Sequence, residues 1–281
     1  MFALESDYMK KFFSFLLVLL FVIGICLVGY PTVSNIINEI TNKSYYEKFD
    51  NTVKTMSDNE KYNMIANARQ YNKMISSKFF SSDLSENYQN ILSRYDDILD
   101  FGNGIMAYVE IPKINVNLPV YHETVNDALT KGAVHIKRSS FPIGENNCHS
   151  LISAHSGYPH AKFFDDLDEL QNGDIFALRF LDNKLYYKVT DISIVLPKEM
   201  QNLKMTRNKD LITLITCYPY SVNTHRLLVT GERYYPNTDK DNDRKTENTL
   251  NTENIKATVI VAVILFMLYI LITVRRFKNG R

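Results

Sequence analysis

A mostly β protein with a helical section before it and a membrane helix at each end is the fold class this sequence predicts. Three observations carry the prediction. Two long apolar stretches stand near the termini, the span from Thr32 to Phe101 contains neither glycine nor proline, and from Gly102 onward short alternating segments are divided by turn residues. The chain has 281 residues with 32 basic against 31 acidic side chains, which suits one ordinary domain plus attachments. A net charge of +1 offers no polyanion-binding surface, so nucleic acid is not expected as a partner.

Residues 1–11 are expected to be a cytoplasmic N-terminus and 12–31 a transmembrane helix. Phe12 to Tyr30 reads FFSFLLVLLFVIGICLVGY without a charge, and at ~1.5 Å per residue it is long enough to cross a hydrocarbon core of about 30 Å. A second membrane helix is expected over 255–274, where Ala257 to Val274 reads ATVIVAVILFMLYILITV. Lys10 and Lys11 precede the first stretch, while Arg275, Arg276, Lys278 and Arg281 follow the second. The positive-inside rule then puts both termini, including the basic tail 275–281, in the cytoplasm, and the region between the spans outside the cell. A cleaved signal peptide is the alternative for the first stretch; its long core and the lack of a small-x-small site after it count against that reading. For the second, the alternative is a buried core helix, but only the basic tail remains to surround one.

Between the spans, residues 32–101 predict an extracellular helical region. Tyr88, Ile91, Leu92, Tyr95, Ile98 and Leu99 recur at helical spacing, a stripe that signifies ordinary packing. From 102 to 236 the texture changes. Ile114, Val116, Leu118 and Val120 alternate with polar positions, and Pro112 and Pro119 confine that segment to an edge or irregular strand. Further strands are expected over 150–154, 175–180, 184–196, 211–217 and 226–235, interrupted by a short helix at 163–170, with Asn172-Gly173 as a turn. Such punctuation predicts a compact, mostly antiparallel barrel or sandwich. Residues 237–254, rich in Asn, Asp, Thr and Lys, read as a polar linker.

Chemistry-bearing residues are few. Of three cysteines, Cys26 falls in the first apolar stretch, leaving Cys148 and Cys217. They either form a disulfide or include at least one thiol kept for its reactivity. Cys217 ends the apolar run LITLIT, and a thiol at a strand end is held by the sheet while facing an open surface. A buried structural cysteine is the equal alternative on position alone. Arg226 opens the next strand across the loop YPYSVNTH; if the two strands are antiparallel, it lies beside Cys217, where a guanidinium can hold a carbonyl or a developing oxyanion. A surface ion pair is the ordinary role of a lone arginine. His155 follows LISA at a strand-to-loop junction, and histidine is the side chain suited to proton transfer near neutral pH. His149, His160 and His225 compete with it on spacing.

Three segments in order carry a resemblance. TLITCYPYSVNTHRLLVTGER, Thr213 to Arg233, resembles the catalytic signature of sortases, in which a TLxTC strand is followed by an arginine on the next strand. SAHSGYPHAKFFDDLDEL, Ser153 to Leu170, resembles the region around the sortase histidine, and GIMAYVEIPKINVNLPVYH, Gly104 to His122, resembles the start of the sortase barrel. The NTHRLLV form and the second apolar stretch are similar to class C, the pilin-polymerising group.

The resemblance implies an eight-stranded sortase barrel over 102–236. It assigns Cys217 as nucleophile, His155 as acid or base and Arg226 as substrate or oxyanion clamp. The implied reaction cleaves an LPxTG-like motif between threonine and glycine and passes the acyl group from a thioester to an amine, with no cofactor and no metal. The implied partners are LPxTG-bearing proteins or pilins and an amine acceptor, either a pilin lysine in pilus assembly or a cell-wall peptidoglycan precursor of a Gram-positive bacterium; hydrolysis by water is a side outcome. Tyr218, Tyr220 and Val222 are candidates to line a groove for the motif, with loop packing as their plain alternative. A membrane-tethered peptide-binding or scaffold protein without turnover is the non-enzymatic alternative.

The sequence departs from the class C pattern in three places. The Asp-Pro-aromatic lid motif that many members carry before the barrel has only Ser82-Asp83-Leu84 as a loose counterpart. Ala154 stands where glycine is frequent, and Cys148 where threonine is frequent, which makes an oxidised pair with Cys217 a point to examine.

Overall fold

A computed structural model describes residues 2–81, 87–203 and 205–236. Three helices come first: α1 (Phe2–Thr55), α2 (Asp58–Ser81) and α3 (Asn87–Ser93). The start of α2 is written into the sequence as a capping box. The Glu60 carboxylate accepts from the Ser57 N–H at 2.8 Å, and the Ser57 hydroxyl accepts from the Glu60 N–H at 3.3 Å.

These helices pack on the strands that follow. On α1, Asp50 pairs with Arg179 at 2.7 Å, and the Phe49 ring meets Tyr108 edge-on at 5.1 Å. On α2, buried Asn72 accepts from the Phe141 N–H at 2.7 Å and donates to the Phe141 carbonyl at 2.8 Å. The helical section thus shares one core with the β domain.

The two flanking membrane helices expected from the sequence are not found among the described residues. Among the described residues no helix is long and apolar enough to cross a membrane. The expected span at 12–31 is not a helix of its own: it is the early part of α1, which continues to Thr55 and carries polar side chains that dock on the β domain. The two-span topology, and with it the cell-membrane location with cytoplasmic termini and an extracellular middle, is corrected accordingly. The linker at 237–254, the second span at 255–274, the tail at 275–281 and Ser82-Asp83-Leu84 lie outside the described residues.

Eight strands follow: β1 (Ile105–Ile111), β2 (Val116–His122), β3 (Ala133–His135), β4 (Cys148–Ser153), β5 (Ile175–Phe180), β6 (Asn183–Val195), β7 (Asp210–Tyr218) and β8 (His225–Tyr234). They close into a barrel in the order β1-β2-β3-β4-β7-β8-β6-β5, which removes every edge. Pro119 lies inside β2 because β3 pairs only from Val120 onward, so its missing N–H interrupts no bond to β3. The core is lined by Val109, Ile152, Leu178, Leu214 and Val229, all fully buried. Gly231 is a packing requirement: a Cβ there would sit 2.5 Å from the Phe176 ring, which stacks on Tyr187 at 5.6 Å. The helix expected at 163–170 shrinks to one 3-10 turn, Leu167–Glu169.

Most pairings are antiparallel, as expected, but β2 with β3 and β4 with β7 are parallel. The second exception builds the site. Parallel neighbours finish at the same end of the barrel, and the antiparallel β8 begins there.

Candidate functional site

Cys217 stands one residue from the end of β7 and is directly opposite Arg226 of β8. Residues directly opposite on neighbouring strands project to the same face. On the other flank, Ser153 is level with Ile215, and the ladder continues as the Ala154 N–H donates to the Ile215 carbonyl at 3.1 Å. His155 follows two residues past the end of β4, next to Ala154, whose carbonyl accepts from Thr216, the residue before Cys217. The structure therefore brings His155, Cys217 and Arg226 to one barrel mouth, and all three are partly exposed.

Arg226 forms no ion pair among the described residues. Its guanidinium donates to the carbonyls of Asn223 at 3.1 Å and His225 at 2.9 Å. A surface ion pair is thus not its role here, and the cation is held by neutral acceptors of its own loop.

The competing histidines go elsewhere. His149 is buried at the far half of β4 and hydrogen-bonds Thr213 at 2.7 Å. His160 is exposed and bonded to Tyr30 of α1, while His225 engages the Thr224 hydroxyl at 2.9 Å. His135 sits in the core with Tyr95 and Ser140, and burial pushes its pKa down to about 3, so it stays neutral.

Cys148 is level with Asp210, the first residue of β7, whereas Cys217 is seven residues beyond it. At ~3.3 Å per residue the two sulfurs are more than about 20 Å apart, well outside disulfide reach. Both are free thiols. Burial pushes the Cys148 thiol up to about 12, and it accepts from the Asn72 amide at 3.4 Å, so it is a small core residue.

The β7–β8 loop forms one rim. Tyr218 is half-buried against the core, while Tyr220 and Val222 are 59% and 63% exposed. The Pro219 carbonyl accepts from the Val222 and Asn223 N–H groups at 3.0 Å, which fixes the loop's shape. Across from it, Gly157 has φ +74, and a Cβ there would be 3.5 Å from the Tyr220 ring. Glycine suits both the left-handed backbone and the close passage of the two loops.

Three residues that sequence reasoning missed hold this mouth together. The Asp165 carboxylate accepts from Gly157 N–H at 3.0 Å and Phe163 N–H at 2.8 Å, cinching the loop after His155. The Thr216 hydroxyl donates to the Ala154 carbonyl at 2.9 Å, tying β7 to β4. The Tyr158 ring stacks on His155 at 5.5 Å. Their identities lie in the quoted segments, yet only tertiary pairing shows their partners.

A closed eight-stranded barrel with Cys217 next to last in β7, opposite Arg226 at the second position of β8, is the arrangement that the resemblance to sortases, a class of cysteine transpeptidase, implies. Comparison with known proteins agrees. The sortase-domain family model matches residues 109–234. Sortase C1 of Streptococcus agalactiae has a crystal structure that is 35% identical, covers 70% of this chain and 99% of its own, and has a TM-score of 0.61. Sortase C of Clostridium perfringens, solved with the C-terminal cell wall sorting motif, is 37% identical over 70% of this chain and 98% of its own, with a TM-score of 0.57. Sortase A of Bacillus anthracis is 24% identical over 79% of this chain and 95% of its own. The chain belongs to the sortase family, and its likeness is to the class C members.

Proposed function

We propose that Cys217 is the nucleophile, His155 the proton carrier and Arg226 the clamp on the reacting carbonyl, in a catalytic domain spanning 102–236. The single observation that carries this reading is the register Cys217↔Arg226 on β7 and β8, with His155 in the loop that leaves the parallel β4 at the same end of the barrel.

The donor is a protein bearing an LPxTG-like motif, a choice supported by the Clostridium perfringens relative, whose structure was solved with the C-terminal cell wall sorting motif. The Cys217 sulfur passes its proton to His155 and attacks the threonine carbonyl carbon, and Arg226 offsets the charge that gathers on its oxygen. When the tetrahedral centre collapses, the threonine–glycine C–N bond breaks, and His155 delivers a proton to the departing amine. The thioester keeps the acyl group activated. An acceptor amine then attacks it and gives a proton to His155, which passes it to the departing sulfur, so that the thiol is restored as the new amide forms. Tyr218, Tyr220 and Val222 line the rim along which the motif lies.

The acceptor is a pilin lysine amine. A sortase C1 of a pilus island, 29% identical with a TM-score of 0.62, supports this choice. The test incubates the enzyme with an LPxTG peptide and either a pilin domain or a peptidoglycan-like amine. Amide product on the pilin lysine is expected, with none from Cys217→Ala and about a hundredfold loss of kcat in Arg226→Ala. Product with the cell-wall amine alone would reassign the acceptor; full turnover by Cys217→Ala would overturn the mechanism.

A further inference from the structure

We propose that Tyr158 is the positioning residue for His155, and that α1 is keyed to it through His160. The proposal rests on His155 being the proton carrier.

Among the described residues no side chain hydrogen-bonds to the His155 imidazole. Its backbone is held where the Phe164 N–H donates to its carbonyl at 3.0 Å, but that bond leaves the ring free to rotate about its side-chain torsions. What sets the plane of the imidazole is a ring: Tyr158 lies against it at 5.5 Å with only 12° between the planes. Tyr158 is itself clamped. Phe163 stacks on it at 5.8 Å and 17°, and His160 meets it edge-on at 5.3 Å and 73°. Offset stacks and edge-on pairs of this kind hold rings in a fixed relation beyond what area burial alone would give.

His160 in turn is gripped by one face of α1. The Tyr30 hydroxyl hydrogen-bonds His160 Nδ1 at 2.6 Å, the Ser34 hydroxyl donates to the His160 carbonyl at 2.5 Å, and the Asn38 amide donates to the same carbonyl. Positions 30, 34 and 38 recur every fourth residue, so they share one face of the helix. Three side chains directed at one loop residue make a specific dock. The chain of contact runs from α1 through His160 and Tyr158 to the imidazole. A histidine turned away from the leaving amine still permits substrate to bind but slows proton transfer. The device therefore acts on kcat.

The experiment measures kcat and KM for LPxTG-peptide transfer to an amine with the full chain and its Tyr158→Leu, Tyr158→Phe and Tyr30→Phe variants. Tyr158→Leu is expected to lower kcat about tenfold with KM within about twofold, and Tyr158→Phe to recover most of the loss because the ring is restored. Tyr30→Phe removes only the phenol–imidazole bond at a half-exposed residue and is expected to lower kcat about threefold. In a Cys217→Ala background, the His155 ring protons should move downfield in the NMR spectrum of Tyr158→Leu as the tyrosine ring current is lost. An unchanged His155 resonance, or a Tyr158→Phe enzyme as slow as Tyr158→Leu, overturns the stacking role. Wild-type kcat in Tyr30→Phe overturns the link to α1. His155→Ala separates the two levels: if it keeps turnover, the reading of the site fails, whereas a dead His155→Ala beside an unaffected Tyr158→Leu removes only this inference.

Discussion

The hydroxyl of Thr216 donates to the carbonyl of Ala154 over 2.9 Å, so the residue before Cys217 is hydrogen-bonded to the residue before His155. Both are 3% exposed. This bond spans the parallel seam between β4 and β7 at the point where their ends carry the chemistry. Thr216→Val keeps the shape and deletes the donor. It should lower unfolding free energy by about 1 kcal/mol and reduce kcat while leaving KM near its original value. Denaturant melts and steady-state kinetics on one preparation check both.

Gly157 and Asp165 shape the loop after His155. Gly157→Ala places a side chain at φ +74 beneath the Tyr220 ring, and the backbone strain alone should cost about 1–2 kcal/mol. Asp165→Ala strips the acceptor from the Gly157 and Phe163 N–H groups. Amide hydrogen exchange should accelerate at those two positions while β7 and β8 remain protected. Uniform acceleration would show instead that Asp165 supports the whole barrel.

Cys148 and Cys217 should differ sharply towards alkylating reagents. Cys148 is buried, with its thiol pushed up to about 12 by that burial, so it stays protonated and shielded at neutral pH. Cys217 is partly exposed. Mass mapping after brief iodoacetamide treatment of the native protein should find Cys217 modified and Cys148 intact, with Cys148 reacting only after unfolding.

Asp210 makes the fold sensitive to pH. It is 3% exposed, accepts from the Tyr187 hydroxyl at 3.1 Å and has Arg233 at 3.9 Å. Burial raises its pKa from 3.8 to about 7, aided by Glu145 and opposed by Tyr187 and Arg233. The folded state thus binds this proton more tightly than the unfolded chain does. The associated stabilisation is present below about pH 4 and is lost as pH rises to about 7. Asp210→Asn should flatten that slope in melts across the window; an unchanged slope would assign it to other groups.

Much of the barrel was legible in the sequence. The strands from Ile175 to Tyr234 stand out as short apolar-rich segments between turn residues, and Cys217 and Arg226 lie at the ends of two of them. β3 escaped notice because three residues are too few for a pattern. The parallel pairing of β4 with β7 was invisible for another reason: it joins segments far apart in sequence, and nothing local encodes the partner. The apolar stretch before Tyr30 misled the topology because its composition matches a membrane helix, while the polar docking of Tyr30, Ser34 and Asn38 on His160 appears only in three dimensions. Asp165 and Tyr158 were hidden likewise, since an aspartate and a tyrosine in a loop look like any others until their neighbours are known.

The most direct test of the account is to trap the enzyme with an LPxTG peptide and no amine acceptor, then locate the added mass by peptide mapping. A hydroxylamine-labile acyl adduct ending at the peptide's threonine and sitting on the Cys217 fragment is the predicted result. Turnover without any adduct at that sulfur, or the same adduct in Cys217→Ala, would contradict it.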